Sequence, residues 1–287
     1  MPAAALALVL AAAVLHSGWN ALTKRAGSPL CFLWLASSMA GLLCVPVALS
    51  RLVTDGLPAD AVPYVGGTIA LHALYFYALG RSYRSGEFSV VYPVARGFGV
   101  ALVPVLALPL LGERLSPLGA LGVGLVVAGI LALQVASRGW HALWLRVGDA
   151  GPGTWWALVT GLTIAAYSLV DKAGVARLHP VPYITLMFLG MNLVLAPVVL
   201  AGGGVRREWS RSRWAILVAS LLTATAYVLV LFAFQLAKAG YVVAGREVSI
   251  VLSAIIGSLL FREGRLGPRL VGAAVVLAGV VCVALAR

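Results

Sequence analysis

His16, Trp19, Asn20, Thr23 and Lys24 recur at the i, i+3, i+4, i+7, i+8 spacing that gathers side chains on one face of a helix. Similar polar stripes follow. Thr68, His72 and Tyr75 form one, Ser89, Tyr92 and Arg96 a second, and Thr160, Thr163, Tyr167 and Asp171 a third, with Lys172 beside it. Thr223 and Tyr227 form another, Gln235 standing a little round the helix, and Arg246, Ser249 and Ser253 the last, with Glu247 next to Arg246. Arg and Lys can anchor an anion, His, Asp and Glu can take up and release a proton, and the hydroxyls, amide and rings can hold a polar solute. Bond-making chemistry lacks its residues: there is no His/Asp/Glu metal cluster, no nucleophile elbow and no Gly-rich phosphate loop with its lysine. The expectation is therefore binding and proton movement by a chain that is not an enzyme and uses no cofactor.

Each residue also has a plainer reading. A His inside an apolar run, such as His16 or His72, often serves as an interhelical hydrogen-bond donor. Tyr64, Trp140, Trp144, Trp155, Trp209 and Trp214 suit an interfacial aromatic belt, and Arg246–Glu247 or Asp171–Lys172 could be structural ion pairs. Coincidence favours a common cavity, because the polar faces fall on six of the apolar runs, the first, third and fourth of each half.

The apolar runs define the class. At 62% hydrophobic and 10% charged residues, with a mean hydropathy of +1.01, the chain lies far outside the soluble range. The runs are near 20 residues and rich in Ala and Gly, so they read as helices that cross a lipid bilayer; barrel strands would alternate over about 10 residues. The net charge of +12 could suggest nucleic acid, but the basic residues sit in short clusters between apolar runs, where anionic lipid is the usual partner. Cys31, Cys44 and Cys282 show no paired spacing and are expected to be free, with no metal site. The first run lacks a basic region before it and carries His16, Trp19 and Asn20 where a cleavage site would be, so it reads as a span and not a signal peptide.

Ten spans are expected, at about 3–22, 30–49, 62–80, 88–111, 117–136, 154–173, 182–200, 214–236, 241–260 and 268–286. The chain repeats itself. A shift of 150 places Arg96 on Arg246, Glu113 on Glu263, Gly122 on Gly272 and Ala128-Gly129 on Ala278-Gly279. Residues 1–137 thus form one five-helix repeat, 138–153 a connecting loop and 154–287 the second repeat. Five spans per repeat force the two halves into the membrane from opposite sides. The fold class is an all-α polytopic membrane protein, ten transmembrane helices as two inverted five-helix repeats. Sorting the loop charges puts thirteen Lys and Arg on one side and six on the other: Arg51, Arg114, Lys172, Arg177, Lys238 and Arg287. By the positive-inside rule the first side is cytoplasmic and both termini face outward.

The remaining spans carry small residues every four positions, Ala120, Gly124 and Ala128 in the fifth and Ala274, Ala278 and Cys282 in the tenth. Such stripes let backbones approach closely, either inside a monomer or in a homodimer.

Across nearly its full length the chain resembles the drug/metabolite transporter superfamily, and within it the EamA family of ten-helix bacterial transporters. The residues that carry the resemblance are the duplicated five-span unit, the opening His16-Ser17-Gly18-Trp19-Asn20 with Lys24, and Leu111-Gly112-Glu113-Arg114-Leu115 before a Gly-rich span ending Val126-Val127-Ala128-Gly129. The second copy departs from the pattern, reading Phe261-Arg262-Glu263. The resemblance implies a bacterial inner-membrane exporter of amino acids or other small metabolites, with a central cavity built from the first, third, fourth, sixth, eighth and ninth helices. Candidate substrate-binding residues are His16, Trp19, Asn20, Lys24, His72, Tyr75, Tyr92, Arg96, Tyr167, Asp171, Tyr227, Arg246, Glu247 and Ser249.

Two function classes follow. The first is a secondary transporter exporting an amino acid or related carboxylate by alternating access, coupled to a proton through His16, His72, Asp171 or Glu247, or to the substrate gradient. An importer or exchanger of an organic anion or phosphorylated solute is the variant on the same fold; a membrane-embedded enzyme is the other class. His16, Asn20 and Lys24 are expected to meet Tyr167 and Asp171 around a wet cavity. For Arg96 and Arg246 two partners stand open, an internal carboxylate (Glu247 or Glu87) or a substrate anion.

Overall fold

The computed structural model describes residues 1–85, 88–138, 151–260 and 266–286, and among them every regular element is helical. The first half contributes α1 (Ala3–Lys24), α2 (Pro29–Asp55), α3 (Val62–Ser85), α4 (Phe88–Leu111) and α5 (Pro117–Arg138). The second contributes α6 (Pro152–Gly174), α7 (Pro180–Gly202), α8 (Val205–Leu236), α9 (Ala239–Arg246), α10 (Val248–Leu260) and α11 (Leu266–Leu285). Proline at the first turn opens α2, α6 and α7, where its missing N–H costs nothing. Gly56 and Gly203, at φ of 74° and 68°, close α2 and α7 in backbone that a side chain would strain. Seven of the described helices are long and apolar enough to cross a membrane, and 117–133 and 270–285 add shorter apolar helices. Trp140, His141, Trp144, Arg146 and Asp149, and the sequence Phe261-Arg262-Glu263, lie outside the described residues.

Two expected spans differ from the folded chain. The basic stretch before the eighth span is not a loop: α8 begins at Val205 and bends at Ser212, where φ −124° and ψ 16° leave the helical region. Glu208, buried in that first segment, accepts Ser212 Oγ at 2.9 Å and the Ser28 amide at 2.7 Å, so one carboxylate stops one helix end and holds the next. The expected ninth span is broken at Glu247, where the Glu247 amide turns back to the Ala244 carbonyl (3.2 Å) and the Glu247 carbonyl accepts from Ile250 (2.9 Å). These i→i+3 bonds tighten the helix inside the bundle and divide it into α9 and α10.

The packing is reciprocal between halves. α1 lies along α8 as α3 lies along α6; α4 meets α6 as α9 and α10 meet α1; α3 touches α7 as α8 touches α2. α5 and α11 pair with each other in the closest approach of the fold. A Cβ on Gly279 would stand 2.6 Å from the Gly122 carbonyl oxygen, and one on Gly122 would stand 2.7 Å from the Gly279 carbonyl. Gly129 meets Gly272 in the same way, a Cβ there lying 2.9 Å from its carbonyl oxygen, so the two helices run antiparallel. Backbone meeting backbone leaves no side chain to yield. The glycines of the repeat are thus consumed inside the chain, joining its halves.

The charged ends sort onto two faces. On one, the Met1 amine donates to the Ala284 carbonyl at 3.1 Å and to Ala286, Lys238 Nζ donates to the Arg114 carbonyl at 2.6 Å, and Arg177 pairs with Asp60 at 3.5 Å. On the other, Glu208 holds the α1–α2 turn beneath Arg211, and Arg81 lies over the Trp156 ring at 5.5 Å. Both described chain ends therefore occupy the same face.

Candidate functional site

Among the described residues Asp171 is the most enclosed charge. It stands near the end of α6 with no exposed surface, and its oxygens accept three hydroxyls: Thr68 Oγ1 from α3 at 2.6 Å and Tyr183 from α7 at 3.0 Å on Oδ1, and Tyr227 from α8 at 2.5 Å on Oδ2. A buried carboxylate is costly unless its lone pairs are met, and three donors from three helices occupy three of its roughly four acceptor sites. His72, one turn beyond Thr68, lies 3.0 Å from the Tyr227 hydroxyl through Nε2 and stacks on Tyr167 at 4.2 Å. Tyr75 meets the edge of Tyr167 at 5.7 Å. α3, α6, α7 and α8 are thus joined by one polar cluster inside an apolar core.

A second charged centre lies beside it. Arg96 Nη2 from α4 meets Glu247 Oε1 at the α9–α10 break at 3.0 Å, with the side chains 10% and 3% exposed. Glu247 Oε2 is buried and has no hydrogen-bond partner among the described residues. Arg246, half-buried, turns instead toward the Tyr227 ring, its Cζ 5.7 Å from the centroid. Among the described residues no carboxylate lies within 4.0 Å of Arg246. His16 on α1 is close enough to feel both guanidiniums and packs on Trp19 at 4.7 Å, ring edge to face. The α9–α10 junction therefore supplies the counter-ion of Arg96 and carries a second arginine, Arg246, aimed at an aromatic wall.

Not every expected residue joins this centre. His16, His72, Tyr75, Arg96, Tyr167, Asp171, Tyr227, Arg246 and Glu247 do. Trp19 packs against Phe32, Ala36, Ile216 and Ala219 between α1, α2 and α8. Lys24 is exposed at the end of α1, and Asn20 is half-buried on the same helix. Ser249 is buried, its carbonyl accepting Ser17 Oγ at 3.2 Å, which ties α10 to α1. The Tyr92 side chain lies outside the described residues, as does Glu87. The expected meeting of His16, Asn20 and Lys24 with Asp171 is not what forms: α1 lies along α8, and the described partners of Asp171 are Thr68, Tyr183 and Tyr227.

Comparison with known proteins turns this geometry into a family. Residues 151–285 match the EamA-like transporter family. The multidrug transporter PA4990 of Pseudomonas aeruginosa is 33% identical over 107 residues, which is 94% of that protein and 37% of this chain. The chain belongs to the EamA-like transporter family. Other relatives include the guanidinium exporter of Salmonella typhimurium, 31% identical over 105 residues and 98% of its length, and the quaternary ammonium compound-resistance protein QacE of Escherichia coli, 34% identical over 82 residues and 70% of its length. A solved crystal structure 19% identical in sequence superposes with a TM-score of 0.74 over 99% of both chains, so the two share a fold from end to end. As a member of the family and of the drug/metabolite transporter superfamily, the chain is a multi-pass membrane transporter.

Sequence reasoning missed Tyr183. The seventh span reads as nearly free of polar side chains, yet its second turn sends a hydroxyl to Asp171, and Gly174 makes the room, since a Cβ there would stand 2.7 Å from Tyr183 Cζ. A glycine near the close of α6, nine residues before a tyrosine, is too common a pattern to mark a site. Asn192 is the other omission; it accepts Ser37 Oγ at 3.0 Å and its carbonyl accepts Trp34 Nε1 at 3.0 Å, clamping α7 to α2 away from the centre.

Proposed function

We propose that this transporter exports an amino acid or closely related carboxylate by alternating access, through ten spans arranged as two inverted five-helix repeats. The observation that carries the substrate class is Arg246. Arginine cannot shed its charge on burial, so a half-buried guanidinium with no described carboxylate beside it requires an anion from elsewhere. Arg96, whose carboxylate is Glu247, does not. The open Glu247 oxygen and the Asp171 cluster supply acceptors for an ammonium near the same place, so the centre offers both signs that an amino acid carries. The tightening of the chain at Glu247, between α9 and α10, sets Arg246 and Glu247 on adjacent positions beside this centre. The antiparallel pairing of Gly122 with Gly279 and Gly129 with Gly272 supports the inverted repeat, as does a relative that matches little more than a third of this chain over nearly its whole length.

Export of an organic cation is the second reading, favoured by the names of the relatives and by the tyrosine walls at Tyr75, Tyr167 and Tyr227. Thermal stabilisation by amino acids, dicarboxylates, guanidinium and lipophilic cations separates the two. Amino acids are expected to stabilise the purified chain, and Arg246→Gln to weaken their binding about 10- to 100-fold, the loss of one charge-assisted contact. Stabilisation by cations alone, or unchanged amino-acid binding in Arg246→Gln, would reject the anion site.

For orientation, the face carrying Arg81, Arg84 and the Arg206–Arg213 cluster is cytoplasmic in this reading of an inner-membrane protein, and both chain ends are outside. A cysteine replacing Arg207 in a chain without Cys31, Cys44 and Cys282 is expected to resist an impermeant maleimide in intact cells and to react after permeabilisation. Reaction in intact cells would invert the topology.

A further inference from the structure

The ring of hydrogen bonds around Asp171 has a proton count that its members determine. Tyr227 donates to Oδ2 at 2.5 Å and Thr68 Oγ1 donates to Oδ1 at 2.6 Å. Each hydroxyl owns one hydrogen, so both have only lone pairs left to offer. His72 faces those lone pairs with both ring nitrogens: Nε2 stands 3.0 Å from the Tyr227 oxygen, and Nδ1 stands 3.0 Å from Thr68 Oγ1 and 3.0 Å from the Thr68 carbonyl, which can only accept. For every bond to form, both nitrogens must carry hydrogen, giving an imidazolium bridged by two hydroxyls to a carboxylate.

One other arrangement is equally complete. If His72 passes the Nε2 proton to the Tyr227 oxygen while Tyr227 passes its own to Asp171 Oδ2, His72 becomes neutral with hydrogen on Nδ1 and Asp171 becomes an acid, with no bond lost. The number of protons is the same. Removing one more would set the bare Nε2 lone pair against a hydroxyl oxygen already committed to Asp171, at a place where His72 and Asp171 are both buried and a broken bond is expensive.

We propose that His72 and Asp171 form one proton-binding couple, relayed by Tyr227, and that this couple takes up and releases the proton to which transport is linked. The proposal rests on the transporter reading for its purpose and on the ring alone for its chemistry. The titratable and charged groups facing the couple are Tyr75 from α3, Tyr167 from α6, Tyr183 from α7, Tyr227 from α8 and Arg246 from α9, with the Arg96–Glu247 pair beyond them. None of these contributes a second carboxylate to the ring. A solute ammonium needs the same acceptor oxygens as the proton, so the two occupy the couple in turn and move in opposite directions.

The test is made on the full chain in lipid nanodiscs with 15N-labelled histidine, the His72 signals being identified by their loss in His72→Gln, and with the carboxylic-acid region of the infrared spectrum recorded in parallel. At low pH the wild type is expected to show either a doubly protonated His72 or an acid band that Asp171→Asn removes, and to lose one proton per chain in a single step as pH rises. In Asp171→Asn that step is absent and His72 is neutral. A His72 that stays a single neutral tautomer beside an ionised Asp171 at every pH where the chain is folded overturns the proposal. So does an unchanged titration in Asp171→Asn. In proteoliposomes given a radiolabelled amino-acid mixture, one proton exchanged per solute gives roughly tenfold accumulation on the acidic side for each pH unit of gradient, since both are the same free energy. His72→Gln is expected to lose this accumulation and the dependence of transport on the pH gradient. Transport without any titration step removes the couple and leaves the substrate reading; a titration step without amino-acid transport does the reverse.

Discussion

Arg96→Gln is expected to destabilise the purified protein by about 3–5 kcal/mol, the range found when one partner of a buried ion pair is removed. The Arg96 and Glu247 side chains meet at 3.0 Å with 10% and 3% of their surfaces exposed, and Glu247 Oε2 is already buried without a described hydrogen-bond partner. Taking away the guanidinium therefore leaves a buried carboxylate without its paired counter-ion. Glu247→Gln is expected to be comparably harmful for the opposite reason, because Arg96 and Arg246 then share the α4 to α9 region without the anion between their helices. The double variant Arg96→Gln/Glu247→Gln should recover most of the loss, since two amides of similar volume carry no charge into the interior and can bond to each other. Thermal unfolding monitored by size exclusion in one detergent ranks the four proteins. An Arg96→Gln chain as stable as the wild type would show that the pair is not what holds α4 to the broken helix, and would reopen the reading in which Arg96 awaits a substrate anion.

The sequence leans toward that reading over an internal pair for at least one of the two arginines, and the reason is physical. A repeat shift places Arg96 and Arg246 at equivalent depths, which makes them look like equal members of one anion site. Periodicity says which face of a helix a residue occupies but not where the helix stops, and the break falls at Glu247, one residue after Arg246. The break turns Glu247 to Arg96 and Arg246 to Tyr227, so two arginines alike in sequence differ in what they require. The polar stripes of α3, α6 and α8 were legible because facing a polar stripe to lipid is expensive, and His72, Tyr167, Asp171 and Tyr227 converge as that cost demands, whereas the Tyr183 hydroxyl of α7 was not. The partner of α1 was not legible. Polar faces specify that helices turn inward; which helix each one meets depends on backbone approach, and the glycine contacts that decide it across α5 and α11 have no polar signature.

Glu113→Ala is expected to open the face that carries the chain ends. Its carboxylate accepts the Ala239 amide, the first of α9, at 2.7 Å through Oε2 and meets Lys172 Nζ at 3.5 Å through Oε1. Lys172 donates in turn to the Ala237 carbonyl at 2.8 Å and to that of Phe234, at the end of α8. One anion and one cation thereby strap the α4–α5 turn to α6, α8 and α9, and the repeat motif Gly112-Glu113 is where the strap is anchored. α9 is only eight residues long and ends in Arg246, so whatever frees its first turn is felt at the centre. Losing a carboxylate cap costs about 0.5–2 kcal/mol, and the partly exposed ion pair adds at most about 1. Together these amount to about 0.5–3 kcal/mol in the opening equilibrium, or about 2- to 150-fold. The measurement is the rate at which an impermeant maleimide, added to the face bearing the termini, labels a cysteine at the buried position Val242 in a chain otherwise free of cysteine. The rate should rise by that factor in Glu113→Ala and rise less in Glu113→Gln, whose amide oxygen still accepts the Ala239 amide but no longer pairs with Lys172. Equal rates in wild type and Glu113→Ala would mean that α9 is held by its packing alone and that the strap plays no part in the opening of this face.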